Sequence, residues 1–442
     1  MKQYETYKDS GIEWLGKVPG HWTVSQLKRL LNTPLMYGSN DYAESTDTSF
    51  PRYIRITDIA DDGTLKADTF KSLSPEKAAG YMLVRGDVLF ARSGATVGKT
   101  FLYESDQPAC FAGYLIKAQC KKDILYPKYL IYYTRSNSYT NWKNSIFAQA
   151  TIQNIGADKY SILPLPIPPH SEQERIVEYL DAKCGDIDNR IAVLEKEQKA
   201  YERLKVAVIN RAVTEGLDPE TPKRDSGLDW LGMIPEHWDV KRLKESFSMG
   251  KGLSITKDDL RETGSSVISY GQIHAKNNSG VTIKQEFIRY VNESYCLTNP
   301  QAIVPKGGFI FADTSEDVLG SGNCIYQDRD EVILGGYHTV ILYPKESNDN
   351  KYLAYLFQTD KWRKQIRSNV YGIKVMSITQ TILGKCSIVL PPYSEQKAIA
   401  EYLDTKCAAI DAKIGNIAKR IEAYKRLKRA LINEVVTGKR AV

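Results

Sequence analysis

The sequence of 442 residues lacks the long apolar run that a membrane-spanning helix needs. Its seven cysteines are scattered and form no C-x-x-C pair, which argues against a disulfide framework or a zinc site and favours a reducing cytoplasm. The five histidines show no metal-ligand spacing. The polar residues after Met1 do not resemble a signal peptide. We therefore expect a cytoplasmic protein without a metal site that does not enter a membrane.

The excess of positive over negative charge is also small, with a formal net charge of +7. This value by itself indicates little about binding partners. Basic residues cluster near the C-terminus, where eight cations between Ile417 and Arg440 face two acids, Glu422 and Glu434. A run of this kind is typical of a solvated helix face, and equally of a surface that meets a polyanion. The sequence leaves both interpretations open.

The chain is organised around a stretch that occurs twice. Pro168–Gln173, with the pattern P-P-x-S-E-Q, returns as Pro391–Gln396 at an offset of 223 residues. The likeness continues without a gap to about Thr214 in the first copy and Thr437 in the second.

Each copy is predicted to be one long helix. Two prolines suit the position just before a helix, and Ser171 and Ser394 are the predicted N-caps. Apolar residues then recur at spacings of three and four, in a heptad seam interrupted by Gln198, Lys205 and Lys428. About 43 residues at 1.5 Å each make a rod of roughly 65 Å. The predicted seam residues are Leu180, Ile187, Ile191, Leu194, Tyr201, Leu403, Ile410, Ile414, Ile417 and Tyr424.

A lone helix of this length cannot bury its apolar stripe, so the predicted partner of each helix is the other copy. The alternative is two core helices that belong to separate globular domains. An internal two-fold repeat favours an antiparallel pair, in which Cys184 and Cys407 lie far apart, whereas a parallel pair would place them level.

A second repeat precedes each globular segment. Asp9–Gly16 returns as Asp225–Gly232, and His21-Trp22 returns as His237-Trp238, at an offset of 216 residues. The paired tryptophans predict a loop that packs through its aromatic rings. Both histidines are interpreted as structural, because no carboxylate or cysteine recurs in the sequence beside both of them.

The segments between the repeats have a mixed α/β pattern. Tyr53–Thr57 and Asp87–Ala91 are strands by composition, Tyr129–Tyr133 is predicted to be helical, and Ser161–Pro166 is an edge strand or extended exit. The second globular segment follows the same frame, with the matching stretches Val267–Ile273, Gly307–Ala312 and Lys351–Leu356.

The predicted fold is therefore α/β (α+β), with two globular domains separated by two long helices that form an antiparallel coiled coil. The predicted segments are 1–22 and 217–238 for the repeated Trp-containing segment, 23–165 and 239–388 for the globular domains, and 166–216 and 389–442 for the long helices.

Three motifs resemble parts of catalytic sites but lack residues that the chemistry needs. Ser93–Thr100 resembles a Walker A loop, but three residues separate its glycines where a phosphate-binding loop has four. Leu390–Tyr393 resembles the Asn/Asp-Pro-Pro-Tyr signature of amino-methyltransferases, but Leu390 stands where a polar residue is needed and no methyl-donor loop precedes it. The acid pairs Asp61-Asp62 and Asp258-Asp259 are explained by a turn and a helix start. No catalytic residues are predicted.

The repeated P-P-x-S-E-Q helix, the repeated S-G-x-x-W-L-G…P-x-H-W segment and the run G-D-V-L-F-A-R-S-G-A-T-V-G-K resemble the DNA-specificity subunit of Type I restriction-modification systems. The resemblance extends from about Asp9 to Thr437. It implies that two target-recognition domains each read half of a bipartite double-stranded DNA target and that the coiled coil sets their spacing. It further implies that two methyltransferase subunits dock on the repeats, that restriction subunits join them, and that S-adenosylmethionine, ATP and magnesium bind these partners and not this chain.

Two other functions are weighed against this one. A self-contained methyltransferase or P-loop NTPase is disfavoured by the broken motifs. A coiled-coil scaffold without a DNA role is disfavoured because the globular segments carry diverged polar and aromatic loops on a shared frame.

Base recognition is predicted where matched strands end with opposite charge. Arg92 follows one such strand and Asp313 the other; Arg can bond guanine O6 and N7, and Asp can accept from cytosine N4. Alternatively, Arg92 pairs with a neighbouring acid and Asp313 caps a turn. Lys99 and Lys374 are predicted phosphate contacts. The residues predicted to contact DNA are Arg55, Arg92, Ser93, Lys99, Tyr270, Gln272, Asp313, Thr314 and Lys374.

Overall fold

A computed structural model describes residues 3–42, 45–60, 63–94, 96–147, 153–370, 372 and 375–442. The chain divides into two compact units. Unit 1 comprises residues 1–195 and 418–442, and unit 2 comprises residues 196–417. Within the described ranges, no helix is both long enough and apolar enough to span a bilayer.

Unit 1 is built from short strands, short helices and parts of two long helices. Its strands are β1 Tyr7–Asp9, β2 Lys17–Pro19, β3 Thr23–Gln26, β4 Met36–Tyr37, β5 Arg52–Ile54, β6 Val88–Ala91, β7 Thr100–Leu102, β8 Ala109–Phe111, β9 Leu115–Ala118 and β10 Pro164–Ile167. Its helices are α1 Pro75–Ala78, α2 Pro127–Thr134, α3 Asn137–Phe147, α4 Ala157–Ser161 and the first part of α5 His170–Glu215, with 3-10 turns at Leu27–Leu30, Ile56–Asp58 and Ala79–Tyr81.

The centre of unit 1 is a four-stranded antiparallel sheet in the order β4-β9-β6-β7. Strand β6 is buried along its whole length, because one face packs on the rings of the helical layer and the other on a smaller apolar cluster. The ring of Phe90 lies 4.7 Å from that of Tyr160, and Leu89 points into the smaller cluster. Strand β5 pairs in parallel with β8, and β3 pairs with β10.

Unit 2 repeats this construction and adds strands to it. Its strands are β11 Lys223–Asp225, β12 Met233–Pro235, β13 Asp239–Arg242, β14 Phe247–Lys251, β15 Ser265–Ile268, β16 Arg289–Val291, β17 Ile303–Val304, β18 Phe309–Ala312, β19 Thr314–Ser315, β20 Cys324–Tyr326, β21 Ile333–Gly335, β22 Thr339–Pro344, β23 Met376–Ser377 and β24 Ser387–Leu390. Its helices are α6 Leu243–Ser246, α7 Tyr270–Ile273, α8 Ser294–Thr298, α9 Asn350–Phe357, α10 Asp360–Arg367, α11 Gln380–Lys385 and the first part of α12 Tyr393–Val436, with 3-10 turns at Lys257–Asp259, Gln285–Phe287 and Pro300–Ala302.

The central sheet of unit 2 has the order β14-β22-β18-β20, which corresponds strand for strand to that of unit 1. Ala91 lies opposite Leu115 in unit 1, and Ala312 lies opposite Thr339 in unit 2. The parallel pair β5-β8 of unit 1 corresponds to the parallel pair β15-β21, which unit 2 extends with β16 and β17 into a second four-stranded sheet. The shared frame predicted from the sequence is confirmed by this common strand order and register.

The two long helices run antiparallel within unit 1. The hydroxyl of Tyr129 donates to the carbonyl of Pro166, just before α5, and to that of Val436, at the end of α12. Further along α5, Asp188 lies 2.6 Å from Lys428, which is earlier in α12. Later residues of α5 therefore contact earlier residues of α12, which is the antiparallel arrangement.

Unit 2 contains the equivalent contacts. The hydroxyl of Tyr352 donates to the carbonyls of Val389, before α12, and Val213, near the end of α5. Lys205 of α5 lies 2.7 Å from Asp411 of α12. The predicted antiparallel pairing is thus present in each unit.

The lysines that interrupt the heptad seam bind aspartates of the opposite helix. Lys205–Asp411 and Lys428–Asp188 are related by the 223-residue repeat, and each lysine is about a quarter exposed. Ion pairs this exposed contribute little stability, but polar groups inside a seam select one register over others. The predicted seam residues Leu180, Ile187, Leu194, Leu403, Ile410 and Ile417 are buried, and Ile191, Tyr201, Ile414 and Tyr424 are half-buried.

The predicted N-caps are wrong. The helices begin at His170 and Tyr393, so Ser171 and Ser394 lie exposed inside the first turn. In unit 1 the amides of residues 172 and 173 donate to the carbonyl of Pro169, which occupies the capping position itself. Proline has no amide hydrogen to donate, but its carbonyl can accept the first hydrogen bonds of the helix that follows it.

One predicted strand and the stretch matched to it end their strand structure early. Tyr53–Thr57 is a strand only to Ile54, and Val267–Ile273 is a strand only to Ile268; a short helical turn follows each. A side chain stabilises each turn, because Asp58 accepts from the amide of residue 55 and Gln272 from that of residue 269. Local capping thus overrides strand propensity.

Other predictions have mixed outcomes. Tyr129–Tyr133 is helical, as expected, within α2. The extended exit is shifted, because Ser161 ends α4 and the strand is Pro164–Ile167. Asp258 and Asp259 lie in the 3-10 turn Lys257–Asp259, whereas Asp61 and Asp62 lie outside the described residues.

Candidate nucleic-acid interface

The ends of β6 and β18 have the same backbone environment in the two units. The amide of Arg92 donates to the carbonyl of Tyr114 at 3.1 Å, and the amide of Asp313 donates to the carbonyl of His338 at 3.1 Å. The carbonyls of Arg92 and Asp313 accept from residues 155 and 378, which are again 223 apart. Arg92 and Asp313 are therefore structurally equivalent residues that carry opposite charge.

Arg92 is not neutralised by an acid in the described part of the chain. Its guanidinium stacks 4.9 Å from the ring centroid of Tyr37, and one Nη donates weakly to the carbonyl of Gly113 at 3.4 Å. Its buried Nε has no hydrogen-bond partner. Among the described residues, Arg92 therefore does not form the ion pair with a neighbouring acid that was the alternative prediction.

Asp313 does not cap a turn within the described ranges. Its Oδ1 lies 3.3 Å from Nδ1 of His338 without hydrogen-bond alignment, and this oxygen is buried with no hydrogen-bond partner. Buried polar atoms usually find partners within the fold, so an unpartnered atom at both equivalent residues is notable. Within the described residues, Nε of Arg92 and Oδ1 of Asp313 therefore both lack a hydrogen-bond partner.

Thr314 and Ser93 also occupy equivalent places. Ser93 forms a bridge with Asn154, and Thr314 pairs with Ser377. The carbonyl of Thr314 accepts from Nε2 of His274 at 2.8 Å. These residues fix the course of the chain directly after Arg92 and Asp313.

The Walker-like loop is a hairpin between antiparallel strands, since it joins β6 to β7. A phosphate-binding P-loop instead joins a strand to a helix, whose N-terminus holds the phosphates. The loop borders a cleft of about 280 Å³ lined by Lys99, Arg135 and Lys143 together with threonine hydroxyls. Burial lowers the pKa of Lys143. The cleft gathers three cations on the surface of unit 1.

Unit 2 has a larger cleft, of about 700 Å³, beside Asp313. Tyr270 and His338 line it, with ring centroids 5.4 Å apart. His274 lines it as well, and both of its ring nitrogens have partners, the carbonyl of Thr314 and the side chain of Asn323. The sequence-predicted Tyr270 thus lies within this cleft.

Three other predicted DNA contacts differ from these. Two hydrogen bonds from Arg55 to Asp58, at 2.7 and 3.0 Å, engage its guanidinium and raise its pKa, and a third reaches the carbonyl of Thr69. The side-chain Oε1 of Gln272 accepts a hydrogen bond from the amide of residue 269. Lys374 lies outside the described residues. Arg55 and Gln272 thus already take part in structural hydrogen bonds.

A single carboxylate at the start of α5 binds the Trp-containing segment in unit 1. Glu172 accepts from Nε1 of Trp22 at 3.1 Å and from the hydroxyl of Tyr4 at 2.6 Å, and it lies 2.8 Å from Nε2 of His21. Burial and the hydrogen bond to Glu172 raise the pKa of the Tyr4 hydroxyl, which therefore remains a donor at neutral pH.

Unit 2 repeats the arrangement with Glu395, which lies 3.1 Å from Nε1 of Trp238 and 2.7 Å from Nε2 of His237. The premise that no carboxylate recurs beside both histidines is therefore wrong. The carboxylates lie more than 150 residues away in sequence, so local spacing could not find them. The structural interpretation of His21 and His237 agrees with these contacts.

Sequence reasoning missed Tyr114 and His338, the residues whose carbonyls fix Arg92 and Asp313. Aligning the strands that follow them would have paired the two, because Leu115 and Thr339 occupy the same register position. In the described part of the chain, no cluster of histidine, cysteine and acidic residues is placed to hold a metal ion.

Known proteins provide the decisive comparison. A family model described as Type I restriction modification DNA specificity domain matches residues 19–200 and again 235–423. The chain belongs to this family. The two matches cover most of the sequence, one in each half of the repeat.

Relatives of this specificity subunit are diverged. The Type I restriction enzyme MjaVIII specificity subunit of Methanocaldococcus jannaschii is 24% identical over 355 residues, which is 80% of this chain and 79% of the relative. The EcoKI specificity subunit of Escherichia coli is 24% identical over 316 residues, 67% of this chain and 63% of the relative.

Solved structures share the fold. A chain from a study of complex assembly and conformational transition in a type I R-M system has a TM-score of 0.73 at 19% identity, covering 95% of this chain and 98% of that one. The HsdS subunit from Thermoanaerobacter tengcongensis has a TM-score of 0.54 at 19% identity, covering 98% of this chain and 100% of that one.

Proposed function

We propose that this specificity subunit recognises a bipartite, asymmetric double-stranded DNA target. The globular part of unit 1 reads one half-site and that of unit 2 reads the other. The observation that carries this proposal is the pair Arg92 and Asp313, which share backbone contacts but differ in charge. A packing position would keep one chemistry in both copies, whereas a reading position changes with the base that it reads.

The charges indicate what each residue binds. Arg92 supplies donors that suit guanine O6 and N7, and Asp313 supplies an acceptor that suits the N4 amino group of cytosine. A phosphate contact would favour a cation in both copies and would repel Asp313. The stacking of Arg92 on Tyr37 supports this role, because it fixes the guanidinium plane while leaving Nη atoms free of carboxylates in the described residues.

Phosphate binding is assigned to the basic cleft of unit 1. Lys99, Arg135 and Lys143 border it, and hydroxyls of Thr96 and Thr140 line it as well. An ammonium is a point charge that discriminates bases poorly but binds phosphate well. Lys99 therefore contributes affinity and orientation without sequence preference.

The repeated contacts around the long helices are assigned to partner subunits. The carboxylates Glu172 and Glu395 hold equivalent Trp-containing segments, which gives the chain two matched surfaces. We place one methyltransferase subunit on each, with restriction subunits joining the assembly. S-adenosylmethionine, ATP and magnesium then bind the partners, the chain itself is non-catalytic, and the complex works in the cytoplasm, in keeping with seven free cysteines.

The pure chain is expected to transfer no methyl group. The hairpin loop of unit 1 offers no helix N-terminus to a phosphate, and no methyl-donor loop precedes Leu390. The measurement is incorporation of labelled methyl groups into duplex DNA, with and without a methyltransferase partner. Incorporation by the rigorously purified chain alone would favour the self-contained methyltransferase. Failure of the complex to bind any DNA sequence selectively would favour the scaffold without a DNA role.

Replacing Arg92 and replacing Lys99 are expected to have different consequences. Arg92→Ala should cost about 1–3 kcal/mol of binding, concentrated at one base pair of one half-site. Lys99→Ala should weaken binding to all sequences alike and reduce the salt slope by about one. The measurement is binding of the partner complex to single-base target variants at several salt concentrations. An even loss for Arg92→Ala would move this residue to the phosphate contacts, and an unchanged profile would make it structural.

A further inference from the structure

Each proposed reading position is hydrogen-bonded to the residue that precedes the neighbouring strand of the central sheet. Tyr114 precedes β9 in unit 1 and His338 precedes β22 in unit 2; the carbonyl of each accepts the amide of the strand-end residue. Their side chains are exposed, 64% for Tyr114 and 56% for the side chain of His338. An exposed aromatic ring that gains nothing from the core at two equivalent positions suggests a contact surface.

The backbone of His338 is strained. Among the described residues, it is the only non-glycine residue in the left-handed region, with φ at 55°. Glycine adopts this conformation without the steric cost that the Cβ of a histidine adds. Strain of this kind concentrates at ligand-binding sites.

His338 also differs from the other histidine of the cleft. Both ring nitrogens of His274 have hydrogen-bond partners, which makes it part of the fold. His338 has no such bonds; its Nδ1 lies 3.3 Å from Oδ1 of Asp313, and Tyr270 presents its ring at 79° to the imidazole. The imidazole is held beside the carboxylate without being used by the fold.

We propose that Tyr114 and His338 are base-contacting residues, and that each forms a two-residue reader with Arg92 and Asp313 respectively. This inference rests on the proposed function. It adds the second residue of each reader.

The chemistry of the two readers is complementary. The carboxylate of Asp313 offers acceptors, and the neutral imidazole of His338 offers one ring nitrogen as a further acceptor. This reader therefore selects a base with an exocyclic amino group, cytosine or adenine, over guanine or thymine. Arg92 only donates, so the reader in unit 1 selects a keto base, with guanine preferred, and the hydroxyl of Tyr114 adds a contact.

The test uses the full chain in complex with a methyltransferase partner and a random duplex library. Wild-type protein should yield a bipartite consensus; the absence of any consensus would defeat the proposed function itself. His338→Gly removes the ring and suits the left-handed backbone, so it should fold. Its preference for amino over keto bases should fall by about 5- to 150-fold at one position of one half-site, with the other half-site unchanged.

Two further variants separate the contributions. Asp313→Asn keeps the shape but adds a donor, so it should accept keto bases at the same position as His338→Gly. Tyr114→Phe keeps the ring, removes the hydroxyl and should relax only the other half-site. His338→Asn tolerates the backbone equally well and serves as a second substitution at this position. The inference is overturned if His338→Gly and His338→Asn keep the wild-type consensus, or if they lose affinity evenly for every sequence.

Discussion

Lengthening both long helices by four residues, after Glu197 and after Arg420, is expected to move the preferred spacer of the DNA target by about two base pairs. Each insertion adds roughly 6 Å to a helix, and a base pair occupies about 3.4 Å. The two positions are equivalent in the repeat and lie close to the division between the units. The half-site sequences should not change, because the proposed base-reading residues lie in the globular parts and not in the helices.

Activity at the original spacing should fall by about 10²- to 10⁴-fold, since a target that cannot engage both readers loses the gain from linking them. A four-residue insertion also rotates the apolar seam, which should lower stability. A seven-residue insertion at the same positions preserves the heptad, adds roughly 10 Å and should select a spacer about three base pairs longer.

The measurement is methylation of a library in which both half-sites are constant and the spacer length varies. Circular dichroism establishes that each variant is folded and helical. If the folded seven-residue variant methylates only the original spacing, the helices do not set the distance between half-sites.

Replacing Glu172 with alanine is expected to destabilise unit 1 by about 2–4 kcal/mol, more than the equivalent change destabilises unit 2. Glu172 is 8% exposed and its carboxylate accepts from Tyr4 and Trp22, with His21 within hydrogen-bond distance. Its removal leaves the indole N–H of the fully buried Trp22 without an acceptor, and it also removes an anion from the first turn of α5.

Glu395→Ala is the matched comparison. Glu395 is 28% exposed and has Trp238 and His237 as partners, so a smaller loss of about 1–2 kcal/mol is expected. Hydrogen exchange reports each site separately, because protection should fall in residues 3–22 for one variant and in residues 217–238 for the other. Glu172→Gln retains an acceptor oxygen and should recover part of the loss.

Equal losses for the two alanine variants would show that the deeper burial and the Tyr4 hydroxyl add nothing. A double substitution with Trp22→Phe tests the indole bond directly. If the energies of Glu172→Ala and Trp22→Phe simply add, the two side chains do not interact.

Periodicity and repetition were enough to predict the long helices. The heptad spacing of residues such as Leu180 and Leu403 predicts a helix with an apolar stripe, and the two-fold repeat favours the other copy as the partner that covers it. The ends of the helices were harder to predict. The first helical hydrogen bonds go to the carbonyl of Pro169, so the helix begins before the predicted N-cap Ser171. Strand ends failed for a similar reason, since Asp58 and Gln272 convert a β-prone sequence into a turn.

The sequence by itself determined the architecture of this protein: two diverged α/β domains of one frame, two antiparallel helices, and opposite charges at the matched positions Arg92 and Asp313. Patterns of this kind are local or repeat at a fixed offset, so they can be read along the chain. Tertiary structure alone decided which distant groups meet. Glu172 reaches a tryptophan 150 residues away, and His338 comes to lie beside Asp313, because strand pairing and helix docking bring together residues whose separation in sequence follows no period.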